Sequence, residues 1–140
     1  MTVAECSVHA STVAVGGRAV LLIGPSGAGK SDLALRLIDR GGMLVADDYT
    51  VLTPRDGALV ASPPASIAGR IEVRGVGIIA MPYREAAPVA LAILLGQPEE
   101  RLPEPRTIDL AGVAVPALAL NPFTAAAPIK VERALQEMAA

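Results

Sequence analysis

The sequence predicts an α/β domain whose sheet is mixed, largely antiparallel and richer in strands than in helices. Three observations lead there. Residues 24–31 read GPSGAGKS, which fits the phosphate-loop pattern G-x-x-x-x-G-K-[ST] at every fixed position, between an apolar strand-like run and a helical pattern. Several short β-like runs are joined by tight-turn signals, whereas a doubly wound parallel sheet would alternate strand and helix. Finally, 52% of the 140 residues are hydrophobic but only 2% are aromatic, so the core is built from Ala, Val, Leu and Ile, as suits strands covered by helices. A chain of this length forms one domain and buries roughly two thirds of its unfolded surface.

Each element follows from local pattern. Residues 8–15 and 18–23 are β-like runs around Gly16-Gly17, a two-residue hairpin signal. The run AVLLI at 19–23 leads into the phosphate loop. Residues 31–40 (SDLALRLIDR) form a helix with Leu33, Ala34, Leu37 and Ile38 on one face, ended by Gly41-Gly42. Residues 43–46 are a short strand running into Asp47-Asp48. The strands at 51–53 and 58–61 flank a turn carrying Asp56-Gly57, and 62–65, with Pro63-Pro64, is a loop. Residues 71–73 and 77–81 are strand fragments around Arg74-Gly75. The apolar run 87–95 is a buried strand or a short helix, and length does not decide between them. Residues 96–106 carry Pro98, Pro103 and Pro105 and suit an exposed connection, and strands at 107–110 and 113–118 surround Ala111-Gly112. A helix over 128–138 closes the chain, with Pro128 near its start and Val131, Leu135 and Met138 on one stripe.

Composition narrows the function. The net charge is −2 and the 12 Lys and Arg are scattered without a basic stripe, so nucleic acid is not an expected partner. The single cysteine, Cys6, points to neither a disulfide nor a metal site and suits a reducing compartment. No cationic leader opens the chain, and its most apolar stretch, 86–95, is far short of the roughly 20 residues a bilayer needs. The expectation is a soluble cytoplasmic protein with no membrane partner.

Residues Gly24, Pro25, Ser26, Gly27, Ala28, Gly29, Lys30 and Ser31 are the candidate nucleotide site. Its glycines allow a turn that brings backbone N–H groups against phosphate oxygens at a helix N-terminus. Lys30 supplies a point charge for the outer phosphates and Ser31 a hydroxyl for Mg²⁺. ATP or GTP is therefore the expected ligand. LVADD at 44–48 resembles a Walker B element, an apolar strand delivering carboxylate near the magnesium. Adjacent strand residues face opposite ways, so one of Asp47 and Asp48 leans towards the metal while the other faces an incoming hydroxyl; a polar turn with a capping Asp is the alternative. Glu72 and Arg74 lie two apart and share a strand face, as a metal or phosphate constellation or as a solvated ion pair. His9, the one histidine, lies upstream of the strand feeding the phosphate loop. Arg101 sits in the polar connection, where a solvated loop charge is the plainer reading.

Together these segments resemble the catalytic domain of bacterial HPr kinase/phosphorylase. The resemblance spans roughly residues 9–121. It rests on His9, on GPSGAGKSDLALRLIDRG, on LVADD, on IEVRGVGII at 71–79, which is similar to the family signature L-E-I-R-G-L-G-I, and on ERL at 100–102, similar to D-R-L-G. It implies a fold like that of phosphoenolpyruvate carboxykinase and an ATP-dependent protein serine kinase that phosphorylates HPr, the phosphocarrier of the sugar phosphotransferase system. Mapped onto this chain, Asp48 is the base for the serine proton, and Ser31, Glu72 and Asp47 surround Mg²⁺. His9, Lys30 and Arg101 meet the transferring phosphoryl group, with Arg74 beside them. A homohexamer is implied, as is a single catalytic domain over 1–140, a short form without the separate N-terminal domain. The family segment P-V-R-P-G-R, associated with dephosphorylation, falls near 118–123. Here that stretch reads LALNPF, so the resemblance does not carry the reverse activity with it. A small-molecule phosphate-loop kinase and a nucleotide-sensing module without turnover stay open as alternatives.

Overall fold

The computed structural model describes residues 5–138. Among them the chain runs β1 (Cys6–Val8), β2 (Ala10–Val15), β3 (Arg18–Ile23), α1 (Lys30–Asp39), β4 (Met43–Ala46), β5 (Thr50–Arg55) and β6 (Ala58–Ser62). A single 3-10 turn at Ala65–Ile67 precedes β7 (Arg70–Val73), β8 (Gly77–Ala80), β9 (Ala87–Leu94), β10 (Arg106–Leu110), β11 (Val113–Ala119) and α2 (Ala127–Met138). Nine strands form one sheet in the order β1-β5-β6-β9-β3-β2-β4, with β10 joined to it through β11 on β9. Only β3 and β11 run parallel to β9; the remaining pairs are antiparallel. The sheet is thus mixed and strand-rich, as the turn signals predict. The hairpin β7–β8 stands apart as a two-stranded sheet.

The ambiguous run at 87–95 is a strand. β9 holds β3 along one flank from Val89 to Leu94, and its other flank is divided, Ala87 and Pro88 pairing with β6 and Ala92 to Leu94 with β11. A strand covered on both faces reads as a continuous apolar run, which is why periodicity alone left it undecided. The run expected over 8–15 is interrupted at His9. Val8 pairs with Thr50 on β5 whereas Ala10 pairs with Ile23 on β3, so the chain changes sheet partner at the histidine.

Alternation along β3 feeds two cores. Val20 and Leu22 pack with Leu33 and Leu37 of α1 and Val131 and Leu135 of α2. Ala19 and Leu21 face the other way, towards Leu52, Leu59 and Val115. That second core closes because the sheet curls over itself, bringing β2 against β5 and β4 against β6. Thr12 and Thr50 hydrogen-bond inside the curl at 2.8 Å, and the Thr50 hydroxyl also donates to the Ala10 carbonyl at 2.9 Å. α1 stops where the double glycine predicts. Gly41, at φ 109, takes the left-handed position, and the N–H groups of Gly41 and Gly42 bond back to the carbonyls of Ile38 and Leu37.

Candidate functional site

The register of β2 assembles the site. β2 is antiparallel to both β3 and β4, so its start lies beside their ends, with Ala10 opposite Ile23 and Thr12 opposite Ala46. β3 ends at the phosphate loop and β4 ends at Asp47-Asp48. His9 and Ser11 therefore arrive where both of those segments leave the sheet.

α1 begins at Lys30 behind Gly29, whose φ of 95° is left-handed, and no side chain caps its first turn. Those N–H groups lack an internal acceptor, the situation an anion at a helix N-terminus relieves. Lys30 is buried and donates from Nζ to the Pro25 carbonyl at 3.0 Å, bending back across the loop. Burial pushes its pKa down from the usual lysine value, opposed by the nearby carboxylates of Asp48 and Asp47. A cavity of about 630 Å³ opens over Lys30, Ser31 and two glycines of the loop, Gly27 and Gly29. Asp48, Glu72 and Arg74 line it, as do Leu35 and Phe123.

Asp47 is the hub. Its Oδ1 accepts hydrogen bonds from the Ser31 hydroxyl at 2.6 Å and the Ser11 hydroxyl at 2.8 Å, and its Oδ2 accepts the backbone N–H of Glu72 at 2.9 Å. One carboxylate thereby ties the phosphate loop, β2 and β7 together. Ser11, fully buried, uses its hydroxyl twice, because the oxygen also accepts the N–H of Asp48 at 3.0 Å. Asp48 takes a different partner, and the alternation expected of strand neighbours is not the reason: β4 ends at Ala46 and the Asp48 backbone is left-handed at φ 67. Its Oδ1 sits 2.7 Å from His9 Nε2, and the imidazole stacks on Tyr49 with ring centroids 5.0 Å apart. His9 also borders a second cleft on the far side of the loop, beside Gly24, Pro25 and Gln97.

Most of the candidate residues therefore converge: Ser26, Gly27, Gly29, Lys30, Ser31, Asp48, Glu72 and Arg74 line one cavity, Asp47 is bonded to Ser31, and His9 is bonded to Asp48, while Gly24 and Pro25 border the second cleft with His9. Arg101 does not join them. It is exposed in the proline-rich connection between β9 and β10 and lines neither cleft. Ser11 is the residue sequence reasoning passes over. Its signal is the two-residue hairpin, which fixes Ser11 opposite Leu22, one step from the strand end that opens the phosphate loop.

Among the described residues no group of three or more His, Cys, Asp and Glu is placed to hold a metal ion by itself. The donor set at the loop is oxygen only: the Ser31 hydroxyl and the carboxylates of Asp47 and Glu72. That set fits Mg²⁺, which takes one or two carboxylates and completes its shell with water and substrate phosphates.

Comparison with known proteins gives a consistent result. The family model for the HPr Serine kinase C-terminal domain matches residues 2–84. The HPr kinase/phosphorylase of Clostridium tetani is 46% identical over 78 residues, covering 56% of this chain and 26% of that protein. That of Chloroherpeton thalassium is 34% identical over 126 residues, covering 80% of this chain and 37% of that protein. This chain thus spans only 26% to 37% of the length of these relatives. The structure of the Hpr(Ser) kinase/phosphatase from Coxiella burnetii superposes with a TM-score of 0.81 at 30% identity, over 94% of this chain and 88% of that one.

Proposed function

The chain belongs to the HPr serine kinase C-terminal domain family, and from that membership and the geometry of the site we propose that it is an ATP-dependent protein serine kinase whose substrate is HPr. The observation that carries the reading is the hydrogen-bonded chain from Ser31 through Asp47 and Ser11 to Asp48. It links a phosphate cradle to an exposed carboxylate already held by a histidine. A nucleotide sensor has no need of such a carboxylate, whereas a kinase does.

In this reading the loop N–H groups and Lys30 hold the outer phosphates of ATP. Asp48 accepts the proton of the HPr serine hydroxyl as that oxygen bonds to the γ-phosphorus. The bond from phosphorus to the bridging oxygen breaks and ADP leaves. His9 fixes the Asp48 carboxylate so that one oxygen stays aimed at the acceptor. Lys30 and Arg74 offset the charge on the transferring oxygens, since phosphoryl transfer is chiefly positioning and charge neutralisation. Ser31, Asp47 and Glu72 would hold Mg²⁺, which would neutralise phosphate charge. The active species is a homo-oligomer, with a hexamer expected. The stretch at 118–123 carries no arginine, which weighs against a reverse phosphorylase step.

The test uses Mg²⁺, ATP and HPr from the same bacterium, with its regulatory serine intact or replaced by alanine. Phosphate is expected only on the intact carrier. ATP that binds but is never consumed would overturn the proposal.

A further inference from the structure

Phe123 is the only phenylalanine of the chain, and it is 72% exposed although its backbone is firmly held. Arg36 reaches from α1 and donates to the carbonyls on both sides of it, those of Pro122 and Thr124. The Phe123 N–H donates to Asn121 Oδ1 at 3.0 Å, and Leu120 is bonded back to the end of β9. The ring is pressed towards the phosphate loop: a Cβ placed on Gly29 would lie 3.2 Å from Phe123 Cε1 and 3.1 Å from Pro122 Cγ. An aromatic group this exposed gains nothing from burial, yet the protein fixes it at the wall of the nucleotide cavity. Leu35, one helical turn beyond Ser31, lines the same cavity.

A nucleotide whose phosphates lie over the loop has to place its sugar and base against the cavity wall, and Leu35 and Phe123 are the apolar residues of α1 and the 120–124 segment on that wall. We propose that Phe123 is the platform on which the nucleobase stacks, with Leu35 as the apolar floor beside it. This assignment rests on the nucleotide-binding part of the proposed function. The platform offers a face and no hydrogen bond. Of the polar side chains beside it, Asp32 pairs with Arg36 at 3.0 Å and Asn121 Oδ1 accepts the Phe123 N–H, while the unpartnered Thr124 hydroxyl is buried and so out of reach of a base. Stacking of this kind accepts every base, because every base has a π-face. The site therefore selects for a base over no base and discriminates little between adenine and guanine.

The experiment measures binding, not turnover, for ATP, GTP and inorganic tripolyphosphate in Mg²⁺, with the native chain, Phe123→Ala and Phe123→Trp. Phe123→Ala is expected to weaken ATP and GTP alike by about 10-fold or more, the usual loss of one stacking partner, and to leave tripolyphosphate within about two-fold. Phe123→Trp should restore both nucleotides. An unchanged nucleotide affinity in Phe123→Ala, or a loss of tripolyphosphate as large as the loss of ATP, would overturn the platform and leave the kinase reading standing. A native chain that binds none of the three would overturn both.

Discussion

Replacing Ser11 by alanine isolates the network under the site without touching any group that meets a substrate. Ser11 is fully buried, so no water replaces its hydroxyl. Two bonds are lost. The first goes to the Asp47 carboxylate at 2.8 Å, and a hydrogen bond to a charged group is worth about 1.5–3 kcal/mol. Ser31 still serves the same oxygen, which favours the lower end. The second leaves the Asp48 N–H without its acceptor, a further cost of about 1–2 kcal/mol for a partly buried donor. The sum is about 3 kcal/mol, equivalent to a fall in Tm of about 10 °C for a domain of this size. The same loss frees Asp48 from its left-handed backbone position, so single-turnover phosphoryl transfer should drop by about 10- to 100-fold while ATP affinity stays within about three-fold. The assay pairs thermal unfolding with single-turnover transfer at saturating ATP. A Tm within about 1 °C of native would refute the energetic argument, and a lowered Tm with an unchanged transfer rate would refute the positioning role.

Three further outcomes are expected. Asp48→Asn removes the proton acceptor and should abolish transfer to HPr, with the Kd for ATP within a few-fold; substantial transfer by this variant would remove Asp48 as the base. Lys30 pays for its burial with a pKa below the usual 10.5. Between that lowered value and 10.5 the unfolded chain binds more protons than the folded one, so native stability rises with pH in that window. In Lys30→Met, which should lose ATP binding, the rise disappears, so the stability of the variant relative to native falls as pH approaches 10.5; a difference in Tm that does not vary with pH would contradict this. A Cβ at Gly42 would sit 2.7 Å from Val13 Cγ1 and 2.9 Å from the Leu37 carbonyl oxygen, so Gly42→Ala should cost about 1–3 kcal/mol in denaturant unfolding, and a neutral result would mean that the packing between α1 and β2 yields freely.

Much of this arrangement is legible in the residues, and the exceptions share a cause. The hairpin at Gly16-Gly17, the turn at Asp56-Gly57 and the end of α1 at Gly41-Gly42 are local, set by the backbone angles those residues accept, and the structure has each of them. By contrast, the separate partners of Asp47 and Asp48 do not come from strand pleat, because β4 ends at Ala46 and Asp48 is left-handed at φ 67. The nature of 87–95 depends on neighbours that arrive from residues 18–23, 58–62 and 113–119, which no window of sequence contains. His9 reads as one residue of a longer strand because its break in pairing comes from β5, forty residues away in the chain. Arg101 reads as a phosphate ligand only through its resemblance to a family segment, and nothing local ties the proline-rich connection to the cavity. Phe123 lacks any periodic signal; its meaning comes from the clamp that Arg36 applies from another element.

The divided flank of β9 has a consequence for how the molecule comes into being. Its pairing surfaces are completed by segments on either side of it in the chain, and the last of them ends at Ala119. Long-range pairing of this kind is slow, because chain entropy is surrendered before any contact rewards it. A nascent chain that has emerged only as far as residue 110 already owns its phosphate loop and both aspartates. Yet it carries an open row of amides and carbonyls at Ala92 to Leu94, a template for unwanted association. The part of the sequence that performs the chemistry is thus finished well before the part that makes it safe to leave in solution, and the closing strand acts as a guard against aggregation as much as a piece of the scaffold.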